Sequence, residues 1–82
     1  MNVYSILEGY GFEFRRGGMW WGMGTLVAGR TAHVTRMGDK FRIQYHYWFW
    51  DGADYEVETS EELMLYPAEA LTYLFTHLPL WR

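Results

Sequence analysis

A chain of 82 residues and 9.8 kDa holds one domain at most, residues 1–82, and is too short for a large cofactor site of its own. It has no cysteine, which excludes disulfides, thiolate metal ligands and cysteine nucleophiles. Seven basic against ten acidic residues give a net charge of −3, which disfavours a general nucleic-acid binder, and an apolar content of 50% disfavours disorder.

The N-terminal segment predicts a short helix that leads into a hairpin. Asn2 is a favourable N-cap for a helix over residues 2–9, and a first strand is the competing interpretation. Residues 12–16 alternate apolar and charged side chains, which is typical of a strand. The two glycines at residues 17–18 indicate a hairpin turn, so a return strand is expected directly after them.

The middle of the chain predicts three further strands. Glycines interrupt residues 22–29, which indicates a bulged strand or a loop, and residues 30–37 alternate as a strand does. Residues 41–50 form the strongest strand pattern, because aromatic and β-branched side chains follow one another without a breaker. An Asp-Gly dipeptide at residues 51–52 favours a turn, and residues 55–59 alternate again to complete an antiparallel hairpin.

The C-terminal segment predicts an amphipathic helix. Residues 59–62 match a capping box, so residues 60–66 are either a helical turn or an extended linker. Pro67 favours a helix start, and Pro79 is expected to end that helix. The apolar stripe with helical spacing consists of Leu71, Leu74, Phe75 and Leu78.

Together these elements predict a single α+β domain. We expect an antiparallel β-sheet meander of about four to five strands, with the C-terminal helix packed on one face and a short helix at the N-terminus. There is no run of about 20 apolar residues that could cross a membrane. No signal-peptide pattern occurs at the N-terminus, so no membrane partner and a cytoplasmic location are expected.

The strand predicted over residues 41–50 has two unlike faces, because successive side chains alternate. The odd-numbered residues are all apolar or aromatic and suit a core beneath the C-terminal helix. The even-numbered face mixes polar groups with tryptophan, and tryptophan and arginine are enriched at interface hot spots. The predicted partner-binding residues on that face are Arg42, His46, Trp48 and Trp50. In the competing interpretation the N-terminal segment simply covers the two tryptophans.

Charge is divided unevenly along the chain. Residues 1–50 carry six basic and three acidic side chains, whereas residues 51–82 carry seven acidic side chains against Arg82 alone. Glu56 and Glu58 are expected to point the same way along a strand, in a line of carboxylates that imitates phosphates. Such a line would suit the basic groove of a nucleic-acid-handling protein. The predicted acidic contacts are Asp51, Asp54, Glu56 and Glu58. A solvated acidic face is the competing interpretation.

Sequence motifs for catalysis are absent. The chain contains no H-E-x-x-H, no G-x-S-x-G and no phosphate-binding glycine loop, and its acidic stretch does not match the calcium-loop pattern. We therefore predict no catalytic residue, no metal site and no cofactor, and expect a protein that is not an enzyme.

In size, single-domain α+β layout, acidity and lack of cysteine, the chain resembles small phage-encoded inhibitors of host defence, the anti-CRISPR proteins. This resemblance covers the whole chain and includes no motif from which residue roles could be carried over. It implies a stoichiometric inhibitor that occupies a surface of a CRISPR effector complex in the cytoplasm of the host bacterium.

The sequence thus favours a non-enzymatic protein-binding module, an inhibitor that blocks the nucleic-acid-binding surface of its partner. One alternative is a binder of a small ligand, a sugar or single-stranded nucleic acid that uses stacked tryptophans. Direct nucleic-acid binding is disfavoured by the acidic half of the chain. Another alternative is a structural module that homodimerises, with the aromatic strand over residues 41–50 as an exposed edge.

Overall fold

The computed structural model describes residues 2–81, apart from the side chains of residues 58–60. Two helices and five strands make up the described chain. Their order is α1 (Val3–Gly9), β1 (Glu13–Arg15), β2 (Gly18–Gly24), β3 (Ala28–Met37), β4 (Lys40–Trp50), β5 (Tyr55–Leu65) and α2 (Pro67–Trp81).

The five strands form one open antiparallel sheet in which each strand pairs with the next in sequence, so the predicted α+β meander is confirmed. Tight turns connect its strands. The first turn lies one residue earlier than predicted, at Arg16 and Gly17, which adopt φ of 51° and 76°. Two residues in the left-handed region are typical of the hairpin turns that match the twist of a sheet.

Capping side chains fix the start of each helix. The Asn2 side chain accepts a hydrogen bond of 2.9 Å from the Tyr4 backbone N–H, which confirms the predicted N-terminal helix. At α2 the Glu69 carboxylate reaches back to accept a hydrogen bond of 3.2 Å from the Tyr66 backbone N–H. Pro67 occupies the first turn, where its missing N–H leaves no intrahelical bond unmade.

One hydrophobic core lies between the helices and one face of the sheet. Strand side chains Met19, Val34 and Ile43 are almost completely buried there, beneath Leu7 of α1 and Leu74 of α2. The buried members are Val3, Ile6, Leu7, Phe12, Met19, Trp21, Ala32, Val34, Phe41, Ile43, Tyr45, Ala70, Leu74, Leu78 and Trp81. Because all of them belong to one cluster, both helices cover the same face and leave the other face of the sheet open.

Two predictions for the C-terminal third are wrong. Residues 59–65 do not cap a helix or form a linker, because they continue β5 opposite β4. Helix α2 does not end at Pro79 but continues to Trp81. Tertiary contacts hold this last turn: the Trp81 indole stacks on Tyr45 at 4.7 Å, and the Arg30 guanidinium donates to the carbonyls of Leu80 and Trp81.

The apolar stripe of α2 is rotated from the predicted one. Phe75 is 50% exposed, whereas Ala70 and Trp81 are buried beside Leu74 and Leu78. Residues 70, 74, 78 and 81 recur at helical spacing on one side of α2, which leaves Phe75 outside the buried face. In the described part of the chain, no helix is long and apolar enough to cross a membrane.

Candidate functional site

The open face is the sheet surface opposite the helices, and it carries the predicted aromatic site. Cross-strand pairs place Trp48 beside Gly29 and His46 beside Thr31, on the surface that faces away from α2. Side chains on this face include Arg15, Trp20, Thr31, His33, Arg42, Gln44, His46, Trp48, Trp50, Tyr55 and Val57. Arg42, His46, Trp48 and Trp50 therefore share one face as predicted, and the N-terminal helix does not cover it.

Two indole rings on the open face lie over glycines. A Cβ atom added at Gly22 would stand 2.5 Å from Cη2 of Trp20, and one added at Gly29 would overlap the ring of Trp48. The rings thus occupy the space that ordinary side chains would fill. Glycine in a strand interior often marks such a close approach. This arrangement explains why glycines interrupt β2 and the start of β3 without breaking either strand.

A third ring follows the same pattern at the other end of β2. A Cβ atom at Gly18 would stand 2.8 Å from Nε2 of His33, so this imidazole lies across β2. The His33 ring also lies 3.4 Å from the Thr35 hydroxyl, which helps to fix its orientation. His33 was not among the predicted site residues, and Trp20 entered only through the alternative of stacked tryptophans. A tryptophan two residues before a glycine in the same strand is the sequence signal that could have singled out Trp20.

The far end of the sheet extends beyond the helices and carries exposed apolar side chains. We call this group the distal cluster, which consists of Leu26, Val27, Trp50, Tyr55 and Val57. Leu26 is 85% exposed and Trp50 is 41% exposed. The backbone N–H of Trp50 donates to the backbone carbonyl of Val27 at 2.6 Å, and the Tyr55 hydroxyl donates to the backbone carbonyl of Leu26 at 3.2 Å. The β2–β3 turn is thereby fastened to β4 and β5.

Aromatic contacts order the two predicted tryptophans. The Tyr55 ring meets Trp50 at 4.9 Å and Trp48 at 5.3 Å, in both cases edge to face. Such geometry adds about 0.5–1.5 kcal/mol per pair beyond the area buried. Trp48 is consequently a half-buried platform, whereas Trp50 projects at the rim.

Asp51 and Asp54 form the turn between β4 and β5, directly beside the distal cluster. The Asp51 carboxylate accepts hydrogen bonds from the backbone N–H groups of Asp54 and Ala53 at 2.9 and 2.8 Å. These bonds, above all that from Asp54, lower the pKa of Asp51. The Asp54 carboxylate accepts the Tyr55 N–H at 2.7 Å. Both acids therefore hold the turn and present charge at its surface.

A β-bulge lies in the part of β5 where the line of carboxylates was predicted. Trp48 pairs with Val57 and Tyr47 pairs with Thr59, so Glu58 is the extra residue of a β-bulge. Glu56 pairs with Phe49 and lies on the helix side of the sheet, away from Trp48. The side chain of Glu58 lies outside the described part of the structure.

A groove of about 400 Å³ occupies the opposite half of the open face. We call it the proximal groove, and its lining side chains are Arg15, Arg16, Trp20, Thr31, Ala32, His33, Gln44 and His46. The Arg15 guanidinium carbon lies 4.3 Å from the centre of the Trp20 ring, a cation–π contact. Arg15 also pairs with the exposed Glu13 carboxylate at 3.0 Å.

The pKa of Asp51 leads to a pH prediction. Because folding lowers this pKa, the unfolded chain binds the proton more readily, and stability falls as the pH drops below about 4. The side chain of the Asp51→Asn variant does not titrate. The difference in free energy of unfolding between wild type and variant should therefore narrow as the pH falls through this range. Urea denaturation between pH 2 and pH 7 measures this difference. Parallel stability curves would contradict the hydrogen bonds assigned to this carboxylate.

Comparisons of the chain with protein-family models, with curated proteins and with solved structures give no match.

Proposed function

We propose that the protein is a non-enzymatic binding module that docks on a partner protein through the distal cluster. The observation that carries this proposal is the group of exposed apolar side chains held by hydrogen bonds at one end of the sheet. Trp50 and Tyr55 project there beside Leu26, Val27 and Val57. A rigid aromatic anchor loses little conformational entropy on binding, which favours its use as a hot spot.

The partner surface that fits this end of the molecule is basic. Asp51 and Asp54 stand at the β4–β5 turn with exposed side chains, and Glu56 follows them. Complementary charge of this kind accelerates association and selects the partner more than it adds to affinity.

Basic protein surfaces of the required kind commonly hold nucleic acid. An acidic turn next to an apolar anchor can occupy such a surface and exclude the nucleic acid. The resemblance to anti-CRISPR proteins makes a CRISPR effector complex the first partner to test, with inhibition of target binding as the outcome. The proposed site thus combines Trp50 and Tyr55 as anchors with Asp51 and Asp54 as charged neighbours.

Homodimerisation is a second candidate, and the sheet topology changes how it would occur. The aromatic strand β4 is not an edge, because it pairs with β3 and β5. The longer of the two edges of the described sheet is β5, which pairs only with β4 and runs from Tyr55 to Leu65. Two copies could pair along this edge. Sedimentation would detect the dimer. A dimer that persists when a CRISPR effector is added would favour homodimerisation, and a dimer that the effector disrupts would favour docking on a partner.

Trp50→Ala should weaken partner binding about tenfold or more while leaving the fold intact, since a hot-spot residue contributes more than about 1 kcal/mol. Phe14→Ala is the matched control, because Phe14 is an exposed aromatic residue on the opposite edge strand. Surface plasmon resonance against a purified CRISPR effector complex gives both affinities, and far-UV circular dichroism verifies folding. Equal losses for the two variants would remove the distal cluster from the interface.

A further inference from the structure

The proximal groove lies on the same face as the distal cluster but towards β1, and the proposed protein interface does not use it. Its lining combines one indole with five side chains that carry N–H donors: Arg15, Arg16, His33, Gln44 and His46. We propose that the proximal groove binds a nucleoside phosphate, either as a free nucleotide or as one unit of a single strand. This site stands apart from the proposed function, because the two involve different side chains.

Trp20 provides the surface for the base. The ring is held over Gly22 on one strand, so it cannot sink into the sheet or turn upright without losing that contact. It lines the proximal groove and also a smaller neighbouring groove of about 230 Å³ that continues to Trp48. Aromatic side chains on an open sheet are common platforms for stacked bases, because every base has a π-face.

Arginines and other side chains with N–H donors provide the surface for the phosphate. Arg15 lies over the Trp20 ring, and Arg16 follows it in the adjacent turn, with a φ of 51°, and also lines the groove. Gln44 pairs across the sheet with His33, whose ring is held over β2. Arg15 already pairs with Glu13, but that ion pair is exposed and screened by water, so a phosphate can compete for the guanidinium.

The chemistry of the lining selects a phosphorylated ring over a neutral sugar. Among the described residues that line the groove there is no carboxylate, although carboxylates are good acceptors for sugar hydroxyl groups. Arginine, by contrast, matches the geometry of phosphate oxygens. A volume of about 400 Å³ is in the range of small-molecule sites and suits one nucleotide rather than a duplex.

The overall negative charge is compatible with this site because the acidic turn is distant from it. The two carboxylates that neighbour the groove, Glu13 opposite Trp20 and Glu62 opposite Gln44, are exposed and therefore screened by water. The acidic turn of Asp51 and Asp54 lies at the other end of the sheet from Arg15 and Arg16. A long polyanion that crossed the whole face would meet these acids, whereas a single nucleotide would not. The net charge of −3 therefore disfavours general nucleic-acid binding without excluding a nucleotide at the proximal groove.

Titration of the ¹⁵N-labelled protein with uridine monophosphate, followed by amide and indole N–H resonances, tests this proposal. We expect saturable shifts at residues of the proximal groove and at the Trp20 indole, with little change at the Trp50 indole. Uridine, which lacks the phosphate, and inorganic phosphate, which lacks the nucleoside, serve as controls. Each should bind at least fivefold more weakly than the nucleotide. A thymidine hexanucleotide separates the two sources: tighter binding than the mononucleotide indicates a single strand, and equal binding indicates a free nucleotide.

Variants connect the binding to the named side chains. Trp20→Leu should weaken nucleotide binding about tenfold, as the loss of a stacked base does. Arg16→Asn should weaken it several-fold, and asparagine tolerates the left-handed backbone at this position. Arg36→Gln is the control, because it makes the same charge change on the helix side of the sheet, where Arg36 contacts the Gly38 carbonyl. Absence of saturable shifts in the wild type, or equal effects of Arg16→Asn and Arg36→Gln, would overturn the proposal.

Discussion

Leu74→Ala is expected to lower the free energy of unfolding by about 2–5 kcal/mol, the usual cost of truncating a buried leucine. Leu74 has no exposed surface and lies at the centre of the face that α2 turns to the sheet. Small domains have total stabilities of about 5–15 kcal/mol, so this loss would be a large fraction of the total. Urea denaturation followed by far-UV circular dichroism measures the difference.

The neighbouring Phe75→Ala provides a sharp control, because Phe75 is 50% exposed although it is the larger side chain. We expect it to change the free energy of unfolding by less than about 1 kcal/mol. A sequence-based stripe that includes both residues would predict comparable losses. If Phe75→Ala proved as damaging as Leu74→Ala, the orientation of α2 described above would be incorrect.

Gly29→Ala is expected to destabilise the protein by about 1–3 kcal/mol, as overpacking does in a filled site. The new methyl group would overlap the Trp48 ring and would stand 2.9 Å from the Met23 carbonyl oxygen across the sheet. The indole must therefore move, and its edge contact with Tyr55 is weakened. Denaturation gives the loss of stability, and the near-UV circular dichroism band of tryptophan reports the displaced ring.

Gly9→Ala is the matched control, since no atom lies within 4 Å of the position that its Cβ would take. Alanine at such a site should leave stability unchanged or raise it by about 0.4–1 kcal/mol, because it restricts the unfolded chain. Should both alanine variants be equally stable, the Trp48 ring does not occupy the space above Gly29.

Local sequence patterns were sufficient to predict most of the fold. The alternation in residues 41–50 predicted β4, and the turn dipeptides predicted the hairpins, the first of them to within one residue, because these signals depend on neighbours in sequence. The N-cap at Asn2 is likewise a local interaction, and it was predicted correctly. Strand order also followed, because short connections between antiparallel strands favour a meander.

Features that depend on tertiary packing were not predictable from these patterns. Helix α2 passes Pro79 because Trp81 stacks on Tyr45 and Arg30 bonds the terminal carbonyls. The extension of β5 over residues 60–65 depends on pairing with β4, and this outweighs the local capping signal.

The candidate site likewise has one part that local sequence patterns predicted and another that depends on strand pairing. The shared face of Arg42, His46, Trp48 and Trp50 followed from alternation within one strand. The contribution of Trp20 depends on the register between β2 and β3, which the sequence alone does not specify. The bulge at Glu58 is also a property of the β4–β5 pairing, and alternation along the sequence does not reveal it.

The most direct test of the proposed function is capture of a purified CRISPR effector complex on immobilised protein after nuclease treatment, with wild type and Trp50→Ala side by side. We expect the wild type to retain the effector without nucleic acid and Trp50→Ala to lose most of it. We also expect capture to weaken as the salt concentration rises. Equal retention by both proteins, or retention only while nucleic acid is present, would contradict docking through the distal cluster.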